Sequence, residues 1–118
     1  MIIDDEDDMY YLIRNILKQR NIEAVFAGSI HEGLKVMKQQ PDIFLIFLDN
    51  HLPDGPGFQY IRQFKEIGHA AVVMMTAYDT SYDRKMAKNN GADDFIGKPF
   101  TRQSILAIID QALSRLPS

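Results

Sequence analysis

Residues 43–48 read Ile-Phe-Leu-Ile-Phe-Leu, and this unbroken apolar run decides the fold. A second run, Ala-Ala-Val-Val-Met-Met, occupies residues 70–75. A strand with one face in water alternates apolar and polar side chains, whereas a strand covered on both faces is apolar throughout. Both runs therefore predict parallel strands with helices on each side of the sheet. Shorter apolar stretches at residues 1–3, 25–26 and 95–96 predict three further strands.

Segments with helical character lie between the predicted strands. Apolar residues recur at helical spacing over residues 9–17 and again over residues 105–116. Ser29 with Glu32 has the spacing of a capping box that opens a helix. Strand and helix thus alternate five times, which predicts an α/β fold. The segment after residue 79 offers few apolar side chains, so the fourth helix is expected to be weakly anchored.

The composition bounds the class of protein. The chain has 118 residues, 46% of them hydrophobic, 25% charged and none of them Cys, which predicts a single domain over residues 1–118. The net charge of −3 argues against nucleic acid or an anionic membrane as the partner. No apolar stretch has the length of a membrane span, and we expect a cytoplasmic location. The short first strand indicates either missing residues upstream of Met1 or a frayed sheet edge.

Polar side chains follow four of the predicted strands. They are Asp4 and Asp5 after the first strand, Asp49 after the third, Thr76 after the fourth and Lys98 after the fifth. Ligands of open parallel sheets bind beyond the carboxyl ends of the strands, where these side chains would converge. Carboxylates about 4 Å apart repel each other by roughly 1 to 4 kcal/mol per pair. Lys98 offsets part of this repulsion, and an all-oxygen site of this kind suits Mg²⁺.

Four motifs in this order carry a family resemblance. They read Ile-Ile-Asp-Asp-Glu at residues 2–6, Leu-Asp-Asn-His-Leu-Pro-Asp-Gly at 48–55, Met-Thr-Ala at 75–77 and Gly-Ala-Asp-Asp-Phe-Ile-Gly-Lys-Pro-Phe at 91–100. Over nearly its whole length, the chain resembles the receiver domain of two-component response regulators. The resemblance implies a flavodoxin-like, doubly wound sheet of five parallel strands in the order 2-1-3-4-5. It also implies an output domain or a separate effector, which this sequence does not contain.

The resemblance assigns roles to the acidic residues. Asp49 would accept a phosphoryl group from the phosphohistidine of a sensor histidine kinase or a histidine phosphotransfer protein. Asp5, Asp49 and the backbone carbonyl of His51 would bind Mg²⁺ directly, for which Mn²⁺ can substitute. Asp4 would act on the metal mainly through water. The chain would assist its own phosphorylation and dephosphorylation without turning over an external substrate, so it would not be an enzyme in the usual sense.

The resemblance also implies a switch. Lys98 would pair with Asp49 and then with the phosphoryl group, while Thr76 would turn inward to hydrogen-bond a phosphoryl oxygen. Phe95 would rotate inward as Thr76 moves, and the bond between Lys98 and Pro99 would be cis. The surface of the fourth helix, the fifth strand and the fifth helix would change, and this surface could bind an effector or a second copy of the chain.

Two bulky residues lie at positions that overlook the phosphoryl group in this family. His51 is two residues past Asp49, and Tyr78 is two residues past Thr76. The hypothesis is that they shield the acyl phosphate from water and slow its hydrolysis.

Each assignment has a simpler alternative. Asp4 and Asp5 could complement a helix dipole, and Asp49 could cap the loop that follows it. Thr76 could close a strand, Lys98 could be a solvated loop charge, and Phe95 could be ordinary core.

Three rival functions share parts of this pattern. One is a receiver-like interaction module that is never phosphorylated. Another is a phosphatase of the haloacid-dehalogenase type, which has a second aspartate where this chain has His51. The third is a flavodoxin-like flavin protein, although no phosphate-binding loop rich in Ser, Thr or Gly follows the first strand.

Overall fold

The computed structural model describes residues 1–77 and 80–116 of the chain. Five parallel strands form the central sheet in the order β2-β1-β3-β4-β5, as predicted. The strands are β1 (Ile2–Ile3), β2 (Phe26–Ala27), β3 (Leu45–Asp49), β4 (Ala71–Thr76) and β5 (Asp94–Gly97).

In the described part of the chain, one α-helix follows each of these strands, so that the first four connect strands and the fifth follows β5. The helices are α1 (Asp7–Lys18), α2 (Ile30–Gln39), α3 (Ile61–Ile67), α4 (Ser81–Asn89) and α5 (Arg102–Ser114). A 3-10 turn at Gly57–Tyr60 leads into α3. Among the described residues, no helix is long and apolar enough to cross a lipid bilayer.

The helices cover both faces of the sheet and create two hydrophobic cores. Side chains of α1 and α5 pack on one face, where Ile13 and Ile109 are fully buried against Phe47. Side chains of α2 and α3 pack on the other face, where Met37 and Phe64 are fully buried. This arrangement explains the unbroken apolar runs, because alternate residues of β3 and β4 enter opposite cores.

Strand β3 begins two residues later than the apolar run predicts. The N–H of Ile43 donates to the carbonyl of Gln40 at 3.2 Å and closes a turn there. The strand continues one residue further than the run, through Asp49, which pairs with Met75 of β4. All five residues of β3 are buried, so the acidic residue is carried into the interior by the strand itself.

Helix capping agrees with the sequence in part. The Ser29 hydroxyl oxygen accepts a hydrogen bond from the N–H of Glu32 at 3.1 Å, which confirms the N-cap of α2. The Glu32 carboxylate, however, accepts from the N–H of Gly28 at 3.0 Å instead of from Ser29. The reciprocal half of the capping box is therefore displaced by one residue.

Helix α4 is weakly anchored, as its composition predicts. Ala87 is its one buried residue, and the side chain of Tyr82 is 65% exposed. Tyr82 therefore adds little to the packing of this helix, although it is one of its few large apolar side chains.

Candidate functional site

The carboxyl edge of the sheet brings the predicted site residues together. Asp49 is the last residue of β3 and Thr76 is the last residue of β4. Asp4 directly follows β1, and Lys98 directly follows β5. The ladder is parallel and pairs Thr76 with Gly97, so these strand ends lie at one level.

Three carboxylates form the centre of the site. One carboxylate oxygen from each of Asp4, Asp5 and Asp49 lies within 4.8 Å of the others. Asp4 is 0% and Asp49 is 3% exposed, whereas Asp5 is exposed. A charge buried this deeply needs a nearby partner of opposite sign.

Lys98 supplies that partner, and its main contact differs from the one that the family resemblance implies. Its Nζ donates to Asp4 Oδ2 at 2.9 Å, while Asp49 Oδ1 lies 3.6 Å away. The other carboxylate oxygen of Asp4 accepts from the N–H of Glu6 at 2.9 Å. Asp4 has no solvent access, so the ammonium group hydrogen-bonds to the carboxylate that water compensates least.

The electrostatics of the site leave Asp49 short of positive charge. Burial, together with the negative charge of Asp4, raises the pKa of Asp49 from 3.8 to about 6, despite the opposing charge of Lys98. Burial alone would lower the pKa of Lys98, but its hydrogen bond to Asp4 and the charges of Asp49 and Asp4 raise that pKa above its ordinary value. Lys98 is therefore firmly protonated, and one such cation does not neutralise three carboxylates.

The donor set fits a hard divalent cation. Three carboxylates converge, and burial, together with the charges of Asp4 and Asp5, disfavours the Asp49 anion. Mg²⁺ prefers oxygen ligands and keeps several waters when only one or two carboxylates bind it directly. Asp4, Asp5 and Asp49 could hold such an ion.

The loop after Asp49 begins with two residues of different burial. Asn50 is buried, and its N–H donates to the carbonyl of Met75 at 2.9 Å. His51 is exposed and begins a short antiparallel hairpin formed by residues 51–52 and 55–56. The other proposed shielding residue, Tyr78, lies outside the described residues.

Two residues near Asp49 were not predicted from the sequence to contribute to the site. The side-chain carbonyl of Asn50 accepts from the N–H of Phe58 at 3.3 Å, which closes the loop after Asp49. Gly57 packs directly against the carbonyl oxygen of Asp49, where a Cβ atom would not fit. The glycine eight residues after Asp49 could have been noticed in the sequence, but its contact with the Asp49 backbone is visible only in three dimensions.

The proposed switch residues lie on neighbouring strands. Thr76 is fully buried, and its carbonyl accepts from the N–H of Lys98 at 2.7 Å. Phe95 is partly buried against the core that contains α2 and α3. The guanidinium carbon of Arg84, on α4, lies 4.7 Å from the centre of the Phe95 ring. The Lys98–Pro99 peptide bond is cis.

Comparison with known proteins identifies the family. Residues 1–110 match the family model described as "Response regulator receiver domain". The chain therefore belongs to the receiver domain family of two-component response regulators.

Individual relatives agree with this assignment. The chain is 32% identical over 116 residues to the transcriptional regulatory protein YxdJ of Bacillus subtilis, and the match covers 98% of the chain and 50% of that protein. It is 31% identical over 116 residues to the KDP operon transcriptional regulatory protein KdpE of Escherichia coli, covering 98% of the chain and 51% of that protein. The chain thus spans about half the length of these curated relatives.

A solved structure supports the fold in detail. A two-component response regulator from Clostridium difficile superposes with a TM-score of 0.91 at 26% sequence identity. The superposition covers 99% of this chain and 96% of that chain.

Proposed function

We propose that the chain is a phosphorylation-controlled switch in which Asp49 takes a phosphoryl group from the phosphohistidine of a histidine kinase or a histidine phosphotransfer protein. The observation that carries this proposal is the convergence of Asp4, Asp5 and Asp49 within 4.8 Å, with Lys98 Nζ 2.9 Å from Asp4 and 3.6 Å from Asp49. Membership of the receiver family gives this geometry its functional context.

Asp49 is the nucleophile of the proposed transfer. A carboxylate oxygen of Asp49 forms a bond to phosphorus while the bond from phosphorus to the histidine nitrogen breaks. The electron pair of the broken bond stays on the donor imidazole, which takes up a proton from solvent. Asp49 must be ionised to attack, and its pKa of about 6 leaves it mostly ionised at neutral pH.

The other residues stabilise the charge on the transferring group. Lys98 Nζ is hydrogen-bonded to Asp4 and lies 3.6 Å from Asp49 Oδ1, close enough to contact a phosphoryl oxygen once the acyl phosphate forms. In the proposed product, the hydroxyl group of Thr76, at the end of the neighbouring strand, donates a hydrogen bond to another phosphoryl oxygen. Asp5, Asp49 and the backbone carbonyl of His51 would bind Mg²⁺ directly, and Asp4 would act on it through water. The bound ion would supply positive charge for the phosphoryl oxygens, and Mn²⁺ could replace it.

The proposed output is a change of the surface made by α4, β5 and α5. Thr76 would move toward the phosphoryl group, and Phe95 would rotate into the space it leaves. Weak anchoring of α4 supports this proposal, because Ala87 is its one buried residue and elements of low stability are the ones that rearrange. A shift from 1:99 to 99:1 requires about 5.5 kcal/mol of differential stabilisation.

The proposed partners follow from the family. Upstream is a sensor histidine kinase or a histidine phosphotransfer protein, and downstream is an effector domain or protein that reads the changed surface. A phosphorylation-dependent homodimer through α4, β5 and α5 is part of the same proposal. A cytoplasmic location also stays a prediction, and cell fractionation would test it.

Incubation with acetyl phosphate and Mg²⁺, followed by intact mass measurement, tests the central step. We expect one phosphoryl adduct on the wild-type chain, and none when EDTA removes the metal. Asp49→Asn should give no adduct, whereas the matched variant Asp42→Asn, at an exposed turn residue, should behave as wild type. Absence of an adduct on the wild type would favour the non-phosphorylated module. An adduct that persists in Asp49→Asn would refute Asp49 as the acceptor.

The proposal includes no turnover of external substrate. A generic phosphate ester incubated with the chain and Mg²⁺ should remain intact. Release of phosphate that depends on Asp49 would instead support the phosphatase alternative.

Slow hydrolysis of the acyl phosphate is a further part of the proposal. His51 is exposed and begins the hairpin after Asp49, and Tyr78 follows β4 by two residues in the sequence. The double variant His51→Gly with Tyr78→Gly should lose its phosphoryl group faster than the wild type after the donor is removed. An unchanged lifetime would refute the shielding hypothesis.

A further inference from the structure

The carboxylate of Asp54, in the loop after Asp49, hydrogen-bonds to the N-terminus of helix α2. Asp54 lies in the two-residue turn of the hairpin whose first residue is His51. Its Oδ1 accepts from the N–H of Ile30 at 2.9 Å, and its Oδ2 accepts from the N–H of His31 at 2.9 Å. Both carboxylate oxygens are thus used on consecutive amides at the start of α2.

This contact is more than ordinary capping of α2. The helix already has its own N-cap, because the hydroxyl oxygen of Ser29 accepts from the N–H of Glu32. Asp54 takes the two remaining amides of the first turn from a position 24 residues from Ile30 along the chain. A carboxylate at a helix N-terminus is favourable for α2, and here it also ties a separate loop to that helix.

The hairpin that Asp54 holds also contains His51, whose backbone carbonyl is a proposed metal ligand. The base of the hairpin is fixed by Asn50, whose N–H donates to the Met75 carbonyl, and its middle is fixed by Leu52, which is 8% exposed. Asp54 adds an anchor at the tip. The hairpin has two paired positions, His51 with Pro56 and Leu52 with Gly55, so its orientation depends strongly on such anchors.

We propose that Asp54 is a positioning residue for the metal site: by tying the hairpin tip to the N-terminus of α2, it holds the backbone carbonyl of His51 in the orientation that binds the cation. This inference rests on the proposed function, in which that carbonyl is a metal ligand. It adds a residue that is itself exposed and that acts on the ion through the loop.

The expected effect follows from the population of the competent loop. The apparent dissociation constant of a ligand rises in inverse proportion to the fraction of molecules in the binding-competent state. Loss of a helix-capping contact of ordinary strength corresponds to about a threefold to tenfold change in such a population. Asp54→Ala should therefore weaken Mg²⁺ binding by about threefold to tenfold.

The experiment measures Mg²⁺ binding by isothermal titration calorimetry without any phosphodonor, in the wild type and three variants. Asp54→Ala removes both contacts, and Asp54→Asn keeps one acceptor oxygen without the charge. Ser29→Ala is the matched control, since it also removes a cap from α2 but leaves the hairpin tied. Backbone amide NMR of His51 and Leu52 in each variant reports the loop directly.

Weaker Mg²⁺ binding in Asp54→Ala, an intermediate value in Asp54→Asn and unchanged binding in Ser29→Ala would support the proposal. The amide signals of His51 and Leu52 should then shift or broaden in Asp54→Ala but not in Ser29→Ala. Equal affinity in Asp54→Ala and Ser29→Ala would overturn it, as would equal weakening in Asp54→Asn and Asp54→Ala, which would indicate a simple charge effect. Failure of the wild type to bind Mg²⁺ would overturn the proposed metal site together with this inference. If the wild type binds Mg²⁺ but Asp54→Ala does not differ from Ser29→Ala, the role of Asp54 alone is overturned.

Discussion

Lys98 and Asp4 form a hydrogen-bonded ion pair across 94 residues of sequence, with Nζ 2.9 Å from Oδ2. Their side chains are 10% and 0% exposed. The pair links the end of β1 to the loop after β5, and Asp49 lies beside it at 3.6 Å from the same ammonium group. Lys98 therefore stabilises the buried Asp4 carboxylate in the unphosphorylated chain.

Lys98→Met should lower the free energy of unfolding by about 3 kcal/mol at pH 8, because it leaves the buried Asp4 carboxylate without its partner. Urea denaturation measures the loss, and added Mg²⁺ should restore part of it. The control Lys35→Met removes an exposed lysine and should cost little. Similar losses in the two variants would contradict a special role for Lys98.

Asp49 should make stability depend on pH. Its pKa is about 6 in the folded chain against an ordinary value of 3.8, so between these values the folded state holds a proton that the unfolded state has released. Stability from this group is therefore lost as the pH rises from about 4 to about 6. Asp49→Asn removes the buried charge and should be more stable than wild type at pH 8 by up to about 3 kcal/mol.

Urea unfolding at pH 8 and at pH 4.5, without divalent cations, measures this difference. At pH 4.5 the folded wild type is mostly protonated at Asp49 while the unfolded chain is mostly ionised there, so the advantage of Asp49→Asn should fall to about 1 kcal/mol. Asp42→Asn, which removes an exposed carboxylate, should leave the stability at pH 8 almost unchanged. A variant Asp49→Asn that is less stable than wild type at pH 8 would refute the assigned cost of the buried anion.

Gly57→Ala should destabilise the fold and slow the proposed phosphorylation of Asp49. Its Cβ atom would fall against the carbonyl oxygen of Asp49, inside van der Waals contact, so the backbone of one of the two residues must move. We expect a loss of about 1 to 3 kcal/mol in the free energy of unfolding and slower phosphorylation by acetyl phosphate. At Gly28 the atom nearest to an added Cβ is Glu32 Oε2 at 3.6 Å, so Gly28→Ala is the control. Full activity of Gly57→Ala would contradict the prediction.

Arg84→Gln should favour the inward position of Phe95. The guanidinium group lies over the Phe95 ring at 4.7 Å, and such a contact at an exposed site is worth about 0.5 to 1 kcal/mol. Its loss should raise the inward population about twofold to fivefold. Fluorine NMR of fluorophenylalanine-labelled protein measures it, with Phe95→Leu identifying the resonance. The neighbouring exposed cation Lys85 provides the control Lys85→Gln, and identical spectra for the two variants would reject the effect.

The fold could be predicted from the sequence because its central strands are covered on both faces. Burial of this kind leaves unbroken apolar runs, as in β3 and β4, and the parallel ladder then brings the residues after each strand to one edge. Asp49 and Thr76 could therefore be placed together from their positions alone.

Contacts between distant side chains could not be predicted in this way. The preference of Lys98 for Asp4 over Asp49 depends on 0.7 Å of separation, the difference between 2.9 and 3.6 Å. The contact of Asp54 with the start of α2 joins two loops with no shared periodicity. Local patterns carry no information on either distance.

Six of the nine residues of α4 are exposed, and Ala87 alone is buried. Substitutions at exposed positions usually change stability by less than about 0.5 kcal/mol. Exposed residues of α4 can therefore be substituted in the course of evolution while the stability of the domain is preserved. Under the proposed function, such substitutions would change which effector the α4 surface binds at almost no cost in stability.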